Sequence, residues 1–150
     1  GWWLKMYDKL KQDIIVSMKE KDTLKLQTLR GIKGTVDLEH INKKIEITDE
    51  LVIDVISKGI KTRKESIIEF EKGNRKDLID KTNLEIDILK VYLPEQLSSD
   101  ELNKIIDEVF SKVNPTSSKD MGLIMREVTP LLKGKADMKK VSEIIKNKLA

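Results

Sequence analysis

Four lysines fall within eight positions in Lys133-Gly134-Lys135-Ala136-Asp137-Met138-Lys139-Lys140. A glycine in this setting stops a helix, and Asp137 is a residue type that starts one. Lys139 and Lys140 would then stand in the first turn of a helix, where the macrodipole disfavours cations. Lysines set against that preference beside a glycine turn suit a bound anion, and the amides of a helix start also receive phosphate. Solvated solubility charge is the plainer alternative. Between 133 and 150 six lysines face two acids, a local excess above the net +3 of the whole chain.

Other residues with chemical potential carry less. Ser66 has Arg63 and Lys64 nearby but no evident general base, so it reads as a helix-surface serine. Lys58, Lys61 and Lys64 repeat every third residue beside Arg63 and form a candidate basic ridge. Glu65, Glu69 and Glu71 follow on the same stretch, and i,i+4 pairing explains them as solvated structural charge. The chain has no cysteine and one histidine, His40. Disulfides, thiolate zinc sites and cysteine nucleophiles are excluded. No phosphate-cradling loop with magnesium-binding acids is recognisable. No catalytic constellation, metal site or cofactor site is therefore expected.

The elements that must position the basic segment read as helices throughout. Leu10, Ile14, Ile15 and Met18 predict a first helix from Met6 to Lys19. Asp22 caps a second, through Leu26, Leu29, Ile32 and Val36 to about Ile41. Gly31 and Gly34 inside it are expected to admit a close helix neighbour. Thr48 caps a long third helix from Asp49 to Lys72, which Gly73 ends in a positive-φ conformation. Asn74 or Arg75 opens a fourth, through Leu78, Ile86, Leu89 and Leu93. Pro94 breaks the pattern. Ser98 and Glu101 have capping-box spacing before Leu102, Ile105, Ile106 and Val109. A loop at 114–118 precedes a helix from Lys119 to Leu132 whose last turn Pro130 should bend or fray. Gly134 stops it, and Asp137 caps a last helix bearing Met138, Val141, Ile144, Ile145 and Leu149.

The expected fold is all-α: an N-terminal helical bundle, residues 6–94, followed by a smaller three-helix domain, residues 95–150. Gly1-Trp2-Trp3-Leu4-Lys5 before Met6 reads as a remnant or an extended start. The 150 residues are 39% apolar and 37% charged but only 4% aromatic, so Ile, Leu, Val and Met must fill the core. No apolar run approaches the roughly 20 residues of a membrane span, and no signal peptide is visible. A cytoplasmic protein without a membrane partner is expected.

Tyr92-Leu93-Pro94-Glu95-Gln96-Leu97-Ser98 resembles the central signature of the YqeY-like proteins. These are similar to the C-terminal tail domain of the B subunit of glutamine-dependent aspartyl/glutamyl-tRNA amidotransferase. Leu29-Arg30, Lys61-x-Arg63-Lys64-x-Ser66 with Phe70, and Arg75-x-Asp77-Leu78 match as well. So do Asp120-Met121-Gly122, Met125, Pro130 and Lys133-Gly134-Lys135-Ala136-Asp137. The resemblance covers Met6 to Leu149 in order. Met138 stands where the family often has glycine, Leu123 and Arg126 where lysine and glycine are expected, and Leu38 where asparagine is frequent.

The resemblance implies a two-part helical fold and an association with tRNA. The family label of carbon–nitrogen ligase with glutamine as amide donor is inherited by relationship, since the activating and transferring domains have no counterpart here. The expected function is that of a tRNA-binding or tRNA-associated accessory protein. Lys133, Lys135, Lys139 and Lys140 would contact phosphates, with Gly134 permitting backbone approach and Arg126 and Lys119 in support. Few aromatics are available for base stacking, so a folded RNA read by backbone and shape fits better than a single strand. The alternative is a helical adaptor that docks an amidotransferase or another helical partner, a tRNA-synthesis complex among them; its mark would be an exposed apolar patch on the first bundle.

Overall fold

The computed structural model describes residues 5–150, so Gly1 to Leu4 of the expected extended start lie outside the described residues. Among these the chain is all-α. It has seven helices: α1 Met6–Lys19, α2 Thr23–Lys43, α3 Asp49–Lys72, α4 Lys76–Lys90, α5 Ser99–Val113, α6 Met121–Leu132 and α7 Met138–Leu149. A single 3-10 turn, Ser118–Asp120, leads into α6. They form two compact units, one reaching to Leu93 and the other Pro94–Ala150.

In the first unit α1 packs on α2, α3 on α4, and α2 joins the pairs. Leu10 and Ile14 of α1 meet Leu29, Ile32 and Val36 of α2, Val52, Val55, Ile56 and Ile60 of α3, and Ile86 and Leu89 of α4. Three hydroxyls are buried with them, Ser17, Thr28 and Thr82. Each donates to the carbonyl four residues back in its own helix, at 2.7, 2.8 and 2.6 Å. A buried hydroxyl satisfied within its own helix avoids the cost of an orphaned polar group. Arg63 ties α3 to α4: its Nε donates to Glu85 at 3.2 Å and its Nη1 to the Gly59 carbonyl at 3.1 Å. That arginine of the expected basic ridge is thus an internal pair, whereas Ser66 is a half-buried residue of α3.

Local signals set the helix ends. Asp22 accepts from the Lys25 amide, Thr48 from Leu51, and Ser98 with Glu101 forms a reciprocal capping box. Two details here differ from expectation. Gly73 has φ −92°, and Asn74 takes the left-handed conformation at φ 52°. The Arg75 amide bonds to the Phe70 carbonyl and the Asn74 amide to Glu71, a Schellman end whose left-handed position falls one residue later than the glycine. Added Cβ atoms at Gly31 and Gly34 would meet nothing within 4 Å, so close packing does not explain them. The glycine in tight quarters is Gly59, where a Cβ would lie 3.1 Å from Ile32 Cδ1 and 3.3 Å from Arg63 Nη1.

The second unit packs Leu102, Ile106 and Val109 of α5 against Ile124, Val128 and Leu132 of α6 and Val141 and Ile145 of α7. Pro130 neither ends nor frays α6, which runs on to Leu132. Thr129 Oγ1 donates to the Met125 carbonyl at 2.6 Å, and the Lys133 amide continues the ladder to Thr129. The missing proline amide costs one bond, but burial of Val128 and Leu132 on either side keeps the turn helical.

Candidate nucleic-acid interface

The basic segment begins where α6 must stop without unpacking Leu132. Lys133 has φ −58° and ψ 126°, Gly134 has φ 77°, and the Lys135 amide donates to the Leu132 carbonyl at 2.9 Å. These values define a type II turn, whose third position requires positive φ and therefore favours glycine. Ala136 and Met138 are half-buried against the second core. Met138 is the first residue of α7, a helical position that needs no glycine, and its side chain anchors the turn from below. Asp137 caps α7 and accepts from the Lys139 amide at 3.0 Å.

A second strand of chain holds this turn. Gln96 Nε2 donates to the Gly134 carbonyl at 2.6 Å and to the Pro94 carbonyl at 3.0 Å. The Leu97 amide donates to the Lys135 carbonyl at 3.0 Å, and the Leu97 side chain packs on the same core. Two successive carbonyls of the basic turn are therefore engaged by two successive residues of Pro94-Glu95-Gln96-Leu97. Sequence reading missed Gln96 and Leu97 as partners of the turn. The available signal was the signature's own glutamine, placed after a proline where no helix uses it.

Lys135, Lys139 and Lys140 are exposed, and Lys133 is half-buried. Gly134 lies between them with its carbonyl held by Gln96. Arg126 is exposed on α6 seven residues before Lys133, two turns back on the same face of the helix. Lys119 sits in the 3-10 turn at the other end of α6, roughly 18 Å away along a helix of this length. The structure thus gathers five of the expected residues in one segment, keeps Arg126 in line with it, and leaves Lys119 apart. It also narrows the chemistry. The Asp137 carboxylate occupies an amide of the helix start, so an anion here is met by lysine ammonium groups and must accommodate that carboxylate.

A loop staple supports the far end of α6. Asp120 accepts from the Thr116 amide at 2.8 Å and its hydroxyl at 3.2 Å, and the Thr116 amide holds its carboxyl below the usual range. Among the described residues there is no group of three or more His, Cys, Asp or Glu side chains able to hold a metal. No helix among them is long and apolar enough to cross a membrane. Among the described residues no buried side-chain nitrogen or oxygen lacks a partner.

A four-helix unit followed by a three-helix unit, joined through a segment that clasps a lysine-rich turn, defines a class of small helical proteins. The YqeY-like protein family model matches residues 7–149, and the chain belongs to that family. It is 44% identical over 84 residues to altered inheritance of mitochondria protein 41, mitochondrial, of Kluyveromyces lactis, covering 55% of this chain and 45% of that one. The protein of the same name from Vanderwaltozyma polyspora is 30% identical over 120 residues, 75% of this chain and 64% of that one. That of Pyrenophora tritici-repentis is 26% identical over 144 residues, 91% of this chain and 79% of that one. The chain spans about half the length of the first curated relatives it matches. These relatives are mitochondrial by name, which corrects the cytoplasmic expectation. That expectation rested on what the chain lacks, and a folded helical body carries no address of its own.

Proposed function

We propose that this protein is an accessory factor that holds a folded tRNA by its phosphates through the turn Lys133–Lys140. The observation that carries the reading is the clasped turn: Gln96 and Leu97 fix the backbone of Gly134 and Lys135, so adjacent cations project from an ordered support. Ordered lysines lose less freedom on meeting phosphate than lysines on a loose loop. Arg126 extends the contact along α6. Lys119 takes a lesser part because of its distance. The relationship to the amidotransferase tail supports tRNA as the polyanion, and a role in translation beside an amidotransferase follows from it. Amide transfer itself is assigned to other chains. The test is the variant with Lys133, Lys135, Lys139 and Lys140 all changed to Gln. It should lose most of its affinity for tRNA while keeping its helical circular dichroism, and undiminished affinity would remove the assignment.

A second reading, the helical adaptor, is favoured by one specific observation. Leu84 and Val91 of the first unit are 55% and 68% exposed and line one groove. An adaptor would bind its partner protein through that unit whether or not RNA is present.

A further inference from the structure

Helix α4 carries two apolar rows. Thr82, Ile86 and Leu89 face the first core at i, i+4 and i+7. Leu84 and Ile88, continued by Val91 just past the last turn, repeat the same spacing two residues on, about 200° around the helix. A helix in a bundle needs only one such row to hold its place. Ile88 is half-buried and also packs against the first core, while Leu84 and Val91 stay exposed; together the three wall a groove of about 450 Å³, with Leu24 of α2 among the other lining residues. Asp13, Asp22 and Asp87 line the same groove against one lysine, Lys25, with Lys9 reaching over the neighbouring Tyr92 ring.

We infer that this groove of the first unit docks an amphipathic helix of a partner protein that presents apolar residues at i, i+4 and i+7 flanked by lysine or arginine. The second row supplies the seat for the apolar side chains, and the carboxylates supply the complementary charge, Asp13 while accepting from the Tyr92 hydroxyl and Asp22 while capping α2. The same carboxylates argue against other occupants. A phosphate backbone or an anionic lipid surface would meet like charge. A second copy seated groove to groove would add a second set of these carboxylates to the same interface. The proposal narrows the adaptor reading to one surface and does not depend on RNA binding at Lys133–Lys140.

The test uses the whole chain and two labelled helical peptides, read by fluorescence anisotropy. Both carry leucines at i, i+4 and i+7; one has flanking lysines and the other glutamates. The lysine peptide should bind roughly tenfold or more tightly than the glutamate peptide. The double change Leu84→Asp with Val91→Asp should remove that binding, and Leu84→Ser with Val91→Ser serves if the aspartates impair folding. The four-lysine variant should bind the peptide as well as the parent does. Equal affinity for the two peptides, or no binding of either, overturns the proposal. So does self-association that the double variant abolishes, which would identify a second copy as the occupant. Peptide binding that survives both double variants removes this surface while leaving an adaptor role elsewhere on the chain.

Discussion

Gly134 shows how much a single residue position can decide. Its φ of 77° completes the turn that ends α6, and a side chain in that region costs about 1–2 kcal/mol. The glycine was readable as a helix stop because the need is local. Gln96 was not, because its partner is the Gly134 carbonyl 38 residues away and no periodicity marks such a bond. Changing Gln96 to Ala should lower tRNA affinity several-fold while leaving the salt dependence unchanged, since no charge is lost. A flattened salt dependence in that variant would contradict a positioning role. The Tyr7, Lys33 and Asp37 group was also hidden. Tyr7 donates to Asp37 at 2.6 Å and Lys33 pairs with it at 2.8 Å. Burial alone would raise the Asp37 carboxyl, but the Lys33 and Tyr7 hydrogen bonds outweigh it and hold it below the usual range. Burial and the Asp37 bond raise Tyr7, and the Asp37 bond raises Lys33. A lowered carboxyl adds stability above its unfolded value of about 3.9 that is lost as pH falls through the folded value. Raised tyrosine and lysine groups add stability that is lost above about pH 10. Asp37→Asn should therefore flatten the acid limb of a urea-midpoint profile below about pH 4, and an unaltered limb would refute the pairing.

At the scale of elements, caps were the most legible feature and glycine context the least. Thr48, Asp22, Ser98 with Glu101, and Asp137 each satisfy a nearby amide, so their meaning lies within four residues. The left-handed residue after α3 is Asn74 because the Schellman geometry sets the position by hydrogen bonding, and asparagine tolerates it nearly as well as glycine. Gly31 and Gly34 could not be separated from Gly59 by sequence, since all three sit inside helices and only packing distinguishes them. Gly31→Ala and Gly34→Ala should each stabilise the fold by about 0.5–1 kcal/mol, having open space and a gain in helix propensity. Gly59→Ala should fall short of both because the added carbon presses on the buried Ile32. Urea midpoints of the three variants check the order, and a Gly59→Ala protein more stable than Gly31→Ala would show that the core yields there.

At the scale of the molecule, each unit has its own apolar core, and the helical periodicity of Ile, Leu and Val foretold the all-α class. The charge concentrated in the last helix and turn was also visible. The support beneath it was not, because the clasp joins the start of the second unit to the turn between α6 and α7, 38 residues on. The outward apolar residues of α4 escaped notice as well: Leu84 and Val91 look like core residues until Ile86 and Leu89, with Ile88 packed beside them, are seen to fill that role. The central claim is that the clasped lysine turn binds tRNA by its phosphates. The most direct measurement is a filter-binding titration of total tRNA at two salt concentrations, with the parent chain and the four-lysine variant side by side. Phosphate contact predicts a steep fall in affinity with salt for the parent, near 0.9 in log–log slope per neutralised duplex phosphate. The variant should bind weakly with a slope smaller by roughly 3. Equal affinities and equal slopes for the two proteins would contradict the account.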